Sequence, residues 1–178
     1  MAPTSVKELP NLETVLGRLL GRVAPEQQPL LIAIAERLAA ARYRDWAQAG
    51  ADAAGASAAG AGETRMNELL ACAQREEEIA ARVEGLYPDA AAIQAEIRRA
   101  NPDLEELNRS IFAGRPLPQQ FAIQARAERL GAATWRAFAA QETAPPRRAA
   151  FLACADLEEE SARVLEGMLD RDGSRPGR

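Results

Sequence analysis

Glutamates at matched positions of two similar segments are the residues in this sequence best suited to chemistry. The segment LACAQREEEIA begins at Leu70, and LACADLEEESA begins at Leu152. Helical spacing of three, four and seven residues places one glutamate of each segment on a face of apolar and small residues. Two other segments, AERLAAARYRDWA and AERLGAATWRAFA, each place one glutamate on a similar face. The four candidate site residues are Glu36, Glu76, Glu128 and Glu158.

Four carboxylates in one apolar core would repel each other, and each would lose its hydration. Such groups are stabilised by protonation, by hydrogen bonds or by bound cations. An all-oxygen ligand set would favour Mn²⁺, Fe²⁺ or Ca²⁺ over Cu²⁺ or Zn²⁺. The sequence has no histidine, which removes the commonest metal ligand and the commonest general base. The side chains that could instead form hydrogen bonds to the carboxyls are Tyr43, Ser161, Arg44 and Arg136.

The remaining glutamates of the two similar segments point away from the apolar faces. Their spacing predicts ordinary surface ion pairs between Glu78 and Arg82 and between Glu159 and Arg163. Cys72 and its counterpart Cys154 lie one helical turn before a candidate glutamate, and we expect both to be small buried residues. Two cysteines are too few for a disulfide framework, which favours a reducing cytoplasmic location.

The elements that must position these residues are predicted to be helices. Apolar residues make up 47% of the 178-residue chain and aromatic residues only 4%, so alanine and leucine must fill most of the interior. The periodicity predicts a short leading helix over 12–24, and the Ala/Gly-rich stretch 50–62 is predicted to be a flexible loop. The four predicted long helices cover 29–49, 64–87, 118–141 and 147–169.

The first pair of predicted long helices is repeated by the second pair. Segments of the first and third helices match at an offset of 92 residues, and segments of the second and fourth match at an offset of 82. The sequence therefore predicts an all-α bundle built from two repeated antiparallel helical hairpins joined by a long crossover. The predicted organisation is an N-terminal arm and short helix (1–28), a first hairpin (29–88), a crossover connector (89–117), a second hairpin (118–170) and a disordered tail (171–178).

Charge and hydropathy exclude two classes of partner. The net charge is −4 and no block of Lys or Arg is present, which argues against nucleic-acid binding. No stretch approaches 18 consecutive apolar residues, so no membrane span is expected.

With its duplicated hairpin and its four core glutamates, the chain resembles the ferritin-like superfamily, and within it the rubrerythrin-like branch, over roughly residues 29–170. The resemblance implies a ferritin-like four-helix bundle whose core holds two metal ions. Glu36 and Glu128 match the single glutamates of the family, and Glu76 and Glu158 match the glutamate of each Glu-x-x-His motif. The sequence departs from the family where Ile79 and Ser161 occupy the expected positions of the two histidine ligands.

Two hypotheses for function follow, and the sequence leaves both open. In the first, the chain is a degenerate member of the family without the usual diiron chemistry. It then acts as a binding or structural module for a protein partner or a small apolar ligand, with a homodimer as a further assembly to test. In the second, the chain is a metal-binding oxidoreductase with an all-glutamate dimetal site for Fe or Mn. The sequence does not decide whether the protein is an enzyme.

Overall fold

The computed structural model describes residues 10–54 and 59–173, and every regular element in that part of the chain is helical. The described residues contain no helix that is both long enough and apolar enough to cross a membrane. The helices are α1 (Leu12–Leu20), α2 (Gln28–Ala54), α3 (Ala59–Glu84), α4 (Ala90–Ala100), α5 (Leu104–Phe112), α6 (Leu117–Gln141) and α7 (Pro145–Gly173), with a short 3₁₀ turn at Pro25–Gln27.

Local sequence explains where several helices begin. The Asn11 side chain accepts a hydrogen bond of 2.9 Å from the backbone N–H of Thr14 and so caps α1. Proline occupies the first turn of α6 and of α7, where its missing N–H has no partner to lose. Gly114, with a φ of 71°, makes the left-handed turn between α5 and α6.

The Ala/Gly-rich stretch differs from its sequence prediction. Residues 50–54 continue α2, and residues 59–62 form the beginning of α3. The prediction of a loop over 50–62 was therefore wrong at both ends, because the high helix propensity of alanine outweighed the isolated glycines. Residues 55–58 of that prediction lie outside the described residues.

The other boundaries lie close to the predicted ones. The predicted connector contains the short helices α4 and α5, while α1 ends four residues before the predicted residue 24. Helix α7 begins two residues earlier than predicted and includes residues 171–173 of the predicted tail. Residues 1–9 of the predicted arm and 174–178 of the tail lie outside the described residues.

The four long helices pack in pairs around two separate apolar clusters. Contacts are most extensive between α2 and α3 and between α6 and α7, and α3 also packs against α7. The first cluster joins the beginnings of α2 and α7 to the ends of α3 and α6 through residues such as Leu30, Val83 and Trp135. The second joins the opposite ends of the same helices through residues such as Tyr43 and Leu165. Residues near the middle of each helix therefore lie between the two clusters.

Candidate functional site

The four candidate glutamates lie near the middle of the four long helices, between the two apolar clusters. Glu36 is on α2, Glu76 on α3, Glu128 on α6 and Glu158 on α7. Their exposed fractions are 8%, 0%, 1% and 2%, so the prediction that all four lie in the core is confirmed. The sequence achieves this because each glutamate occupies the apolar face of its helix, where packing of its neighbours buries it.

Three of the carboxyls come together directly. Glu36, Glu76 and Glu158 each contribute an oxygen atom, and these three atoms lie within 4.8 Å of one another. The Ser161 hydroxyl donates a hydrogen bond of 2.9 Å to Glu76 Oε1. The Trp135 indole N–H donates a hydrogen bond of 3.0 Å to Glu158 Oε1. Among the described residues, Glu36 is the one core carboxyl that receives no hydrogen bond from a hydroxyl, amide or indole group.

Glu128 is held by a separate set of donors. Its Oε1 accepts hydrogen bonds from the Tyr43 hydroxyl at 2.7 Å and from the Gln124 amide at 2.6 Å. Arg42 in turn donates to the Gln124 carbonyl oxygen at 2.8 Å, and its guanidinium lies 3.8 Å from the centre of the Phe112 ring. Two successive hydrogen bonds through Gln124 thus connect a positive charge to the Glu128 carboxyl.

Two buried carboxyl oxygens of the described residues accept no hydrogen bond from a hydroxyl, amide, indole or guanidinium group. These atoms are Glu76 Oε2 and Glu128 Oε2, and each belongs to a side chain whose other oxygen is already bonded. An unpaired buried polar atom typically costs roughly 1–3 kcal/mol of folding free energy. The site therefore has unused capacity to accept a donor or to bind a cation.

The electrostatic environment favours the protonated form of three carboxyls. Burial, together with the charge of Glu128, raises the pKa of Glu36 to about 8. Burial is also the main reason that the pKa of Glu76 lies well above its ordinary value, and the nearby charges of Glu128 and Glu36 add to it. For Glu158, burial and the charge of Glu36 raise the pKa in the same direction. Burial also lowers the pKa of the Arg42 guanidinium to about 10.

Gly131 leaves space for the Glu158 carboxyl against the α6 backbone. A Cβ atom at residue 131 would lie 2.5 Å from Glu158 Oε1 and 2.7 Å from Glu158 Cδ. Side chains essentially never make contacts this short, so any other residue would displace the carboxyl. One turn further along α6, Trp135 donates to the same oxygen of Glu158.

The positions expected to hold the two histidine ligands provide no nitrogen atom. Ile79 is fully buried in the first apolar cluster. Ser161 is also fully buried, and its hydroxyl is bonded to Glu76. The residues present therefore do not fit the usual pair of metals with histidine ligands. They do fit a hard cation bound by oxygen atoms alone, because carboxyl oxygens of Glu36, Glu76 and Glu158 converge in the core.

Arg44 and Arg136, which the sequence offers as partners of the core carboxyls, are bonded to other glutamates. Arg44 pairs with Glu77 at 3.0 Å, and Arg136 pairs with Glu159 at 3.0 Å. The predicted pair of Glu159 with Arg163 is corrected by these contacts, because Glu159 faces α6 and is bonded by Arg129 and Arg136. The predicted pair of Glu78 with Arg82 is confirmed at 2.5 Å.

Both cysteines lie in the core, as the sequence predicts. Burial raises the pKa of the Cys72 thiol to about 11 and that of the Cys154 thiol to about 12. Both thiols are therefore protonated at neutral pH and are poor nucleophiles.

The sequence did not identify Arg42, Gln124, Gly131 or Trp135 as residues of the site. Gln124 lies one turn before Glu128 on the same face of α6, and a polar residue within that apolar face was the available signal. Gly131 is an isolated glycine inside a helical pattern, which often indicates a close approach of another group. Arg42 gave no such signal, because it falls in a segment with several other arginines.

Comparison with protein-family models, with curated proteins and with solved structures found no match to this chain.

Proposed function

We propose that the chain is a ferritin-like four-helix bundle made of two repeated antiparallel hairpins, α2–α3 and α6–α7. The extensive packing within each of these two helix pairs supports the proposal. The two apolar clusters support it as well. The first combines the beginnings of α2 and α7 with the ends of α3 and α6, and the second combines the opposite ends of the same four helices.

A duplicated set of ion pairs also supports two equivalent hairpins. Arg37 on α2 bonds Glu77 and Glu84 on α3. The residues at the same offsets in the second hairpin make the same contacts, since Arg129 on α6 bonds Glu159 and Glu166 on α7. The distances from Arg37 to Glu84 and from Arg129 to Glu166 are both 2.6 Å.

The function that we infer for this bundle is binding of a hard divalent cation at an all-carboxylate site. The observation that carries the proposal is the convergence of Glu36, Glu76 and Glu158 within 4.8 Å in the core. A divalent cation among them would favour the ionised form of three carboxyls whose pKa values are otherwise raised by burial. Hydrogen bonds from Ser161 and Trp135 each occupy one oxygen of a carboxyl and fix its orientation, as groups around a metal site commonly do.

Mn²⁺ and Fe²⁺ are the cations that we expect, because the ligands are carboxylates and the nitrogen or sulfur ligands that favour copper and zinc are lacking at this site. Bound iron or manganese would supply redox chemistry. Within the chain, Glu128 would lie beside the three ligands, with its orientation fixed by Tyr43 and Gln124.

The direct test is metal analysis of the full-length chain after anaerobic loading with Mn²⁺ or Fe²⁺ and removal of excess metal. We expect about one ion per chain, and at 100 times the Kd we expect about 2.7 kcal/mol of added stability. The Glu76→Gln/Glu158→Gln variant should lose both effects. The matched control is Glu78→Gln/Glu160→Gln, which changes two exposed glutamates on the same helices. Absence of bound metal in the parent chain would disprove the proposed function.

A second candidate function is a structural core without a cation, and a specific set of contacts favours it. Tyr43, Gln124, Trp135 and Ser161 already donate hydrogen bonds to three of the carboxyls. The raised pKa values of Glu36 and Glu158 would allow the carboxyls to share protons. Under this alternative the chain is a binding or structural module, and Mn²⁺ would leave its melting temperature unchanged.

A further inference from the structure

A cavity lies on the side of the four glutamates that faces α1. It is partly open to solvent, has a volume of about 140 Å³ and is lined by residues of α1, α2, α5, α6 and α7. Its walls are mainly apolar and include Leu16 and Leu19 of α1, Ile32 of α2 and Leu130 of α6. Three of the core carboxyls, those of Glu36, Glu128 and Glu158, lie at its polar end.

The size of the cavity defines the size of a ligand. An enclosed apolar cavity of roughly 150 Å³ is large enough to bind benzene. Ordered water needs two to four polar partners, and these are confined to the part of the cavity lined by the carboxyls and by Arg42, Asn108, Gln124 and Thr134. The rest of the lining is apolar. The cavity therefore fits a mainly apolar molecule with a body about the size of one six-membered ring.

Glu36 is the carboxyl that we expect to accept a hydrogen bond from a ligand at the polar end of the cavity. It lines the cavity and is the most exposed of the four core glutamates, at 8%. Its carboxyl lies against the carboxyls of Glu76 and Glu158, and among the described residues no hydroxyl, amide or indole group donates to it. Tyr43 and Trp135 by contrast donate to Glu128 and Glu158. The hydrogen bonds of Glu36 within the described residues are to the carboxyls of Glu76 and Glu158, so a ligand hydroxyl would be its one donor that is not a carboxyl.

The polar end of the cavity already contains one cationic side chain. The Arg42 guanidinium lines the same cavity and stays close to the carboxyls through Gln124. A hydroxyl donates a hydrogen bond to a carboxyl without adding a second positive charge beside this half-buried arginine.

We propose that this cavity binds a small uncharged molecule with an apolar body of about one ring and a single hydroxyl group that donates to Glu36. This proposal does not depend on a bound cation and concerns the chain in the presence of a chelator.

The test compares phenol with benzene as ligands of the full-length chain in chelator, by ligand-observed NMR titration. We expect phenol to bind at least about tenfold more tightly than benzene, since a hydrogen bond to a buried carboxyl is worth about this factor. Glu36→Met should bind the two molecules equally, because the variant keeps the size of the side chain and removes its acceptor atoms. Equal binding of phenol and benzene by the parent chain would overturn the assigned hydroxyl group.

Two alanine-to-leucine variants test where phenol binds, and they remain informative if Glu36→Met does not fold. Ala127 lines the cavity, whereas Ala137 is exposed on the same helix. Ala127→Leu should weaken phenol binding at least about tenfold, and Ala137→Leu should leave it unchanged. Absence of phenol binding, or equal binding by both variants, would overturn the proposal. A separate Mn²⁺ titration of the parent chain keeps failure of the cation site distinguishable from failure of the cavity.

Discussion

Glu158 can occupy its position only because residue 131 has no side chain. Its carboxyl lies where a Cβ atom on α6 would be, 2.5 Å from the nearest carboxyl oxygen. The Trp135 indole then holds that oxygen with a hydrogen bond of 3.0 Å. The absence of a side chain at position 131 therefore determines where the Glu158 carboxyl lies relative to those of Glu36 and Glu76.

Gly131→Ala is therefore expected to destabilise the protein, although alanine is the better helix former. The contact should cost about 1–3 kcal/mol, which outweighs the gain of about 1 kcal/mol in helix propensity. The control is Gly167→Ala on α7, where the added Cβ would meet only the end of the Arg171 side chain at 3.7 Å. Urea denaturation should show a loss of stability for the first variant and a small gain for the second. A gain in both would contradict the close approach at Gly131.

The raised pKa of Glu36 predicts how stability depends on pH. Its ordinary value is 4.5, and burial raises the pKa to about 8 in the folded protein. Between these values the folded chain retains a proton that the unfolded chain has released. The free energy of unfolding should therefore fall as pH rises from about 4.5 to about 8, by at most about 1.4 kcal/mol per pH unit for this group.

The measurement is the melting temperature in chelator at several pH values between 5 and 8, for the parent chain and for Glu36→Gln. The variant lacks this titration, so its melting temperature should fall less steeply with pH. The carboxyls of Asp103 and Glu166, whose pKa values are lowered by Arg22 and Arg129 respectively, titrate below this window. A melting temperature of the parent chain that rises with pH across this range would contradict the prediction.

At the scale of the helices, the repeated ion pairs connect the two members of each packed pair. The Arg37 and Glu84 side chains are 36% and 24% exposed, and those of Arg129 and Glu166 are 39% and 44% exposed. Partly exposed pairs of this kind gain little from Coulomb attraction alone, although the shared arginine makes each set a small network. Their contribution lies in fixing the register of one helix against the next.

Double-mutant cycles should give similar coupling energies for the two equivalent pairs. We expect about 0.3–1 kcal/mol for Arg37 with Glu84 and about the same for Arg129 with Glu166, both decreasing at high salt. The control is the exposed pair of Arg99 with Glu96 within α4, for which the coupling should be close to zero. The energies follow from urea denaturation of the single and double alanine variants. A coupling in one hairpin only would argue against equivalent roles for the repeated residues.

The sequence was most informative about elements with a regular apolar period. That period predicted the positions of the four long helices and the burial of Glu36, Glu76, Glu128 and Glu158, because burial follows from the face on which a residue lies. It did not predict that residues 50–54 and 59–62 are helical, because the high helix propensity of alanine and the low helix propensity of glycine compete there. The network from Arg42 through Gln124 to Glu128 was also inaccessible, since it depends on how α2, α5 and α6 pack against one another.

For the whole molecule, the layer of glutamates divides the core into two apolar clusters. A continuous apolar core would be more stable, because each buried carboxyl loses its hydration. In addition, one oxygen of Glu76 and one of Glu128 accept no hydrogen bond from a neighbouring donor group. This arrangement implies a trade-off between the stability of the chain without cations and its capacity to bind one.

Replacing the two carboxyls that have unpaired oxygens should reveal that trade-off. Glu76→Gln/Glu128→Gln removes two buried acids and introduces amide donors for the neighbouring carboxyls of Glu36 and Glu158. At pH 8 in chelator we expect the variant to be more stable than the parent chain by about 1–4 kcal/mol. In Mn²⁺ the order should reverse or the difference should shrink, because only the parent chain retains all three convergent carboxyls. Thermal denaturation of both chains under the two conditions measures the effect. A variant that is less stable than the parent chain in chelator would show that the glutamate layer is itself stabilising. An equal increase in the melting temperature of both chains on addition of Mn²⁺ would place the cation elsewhere.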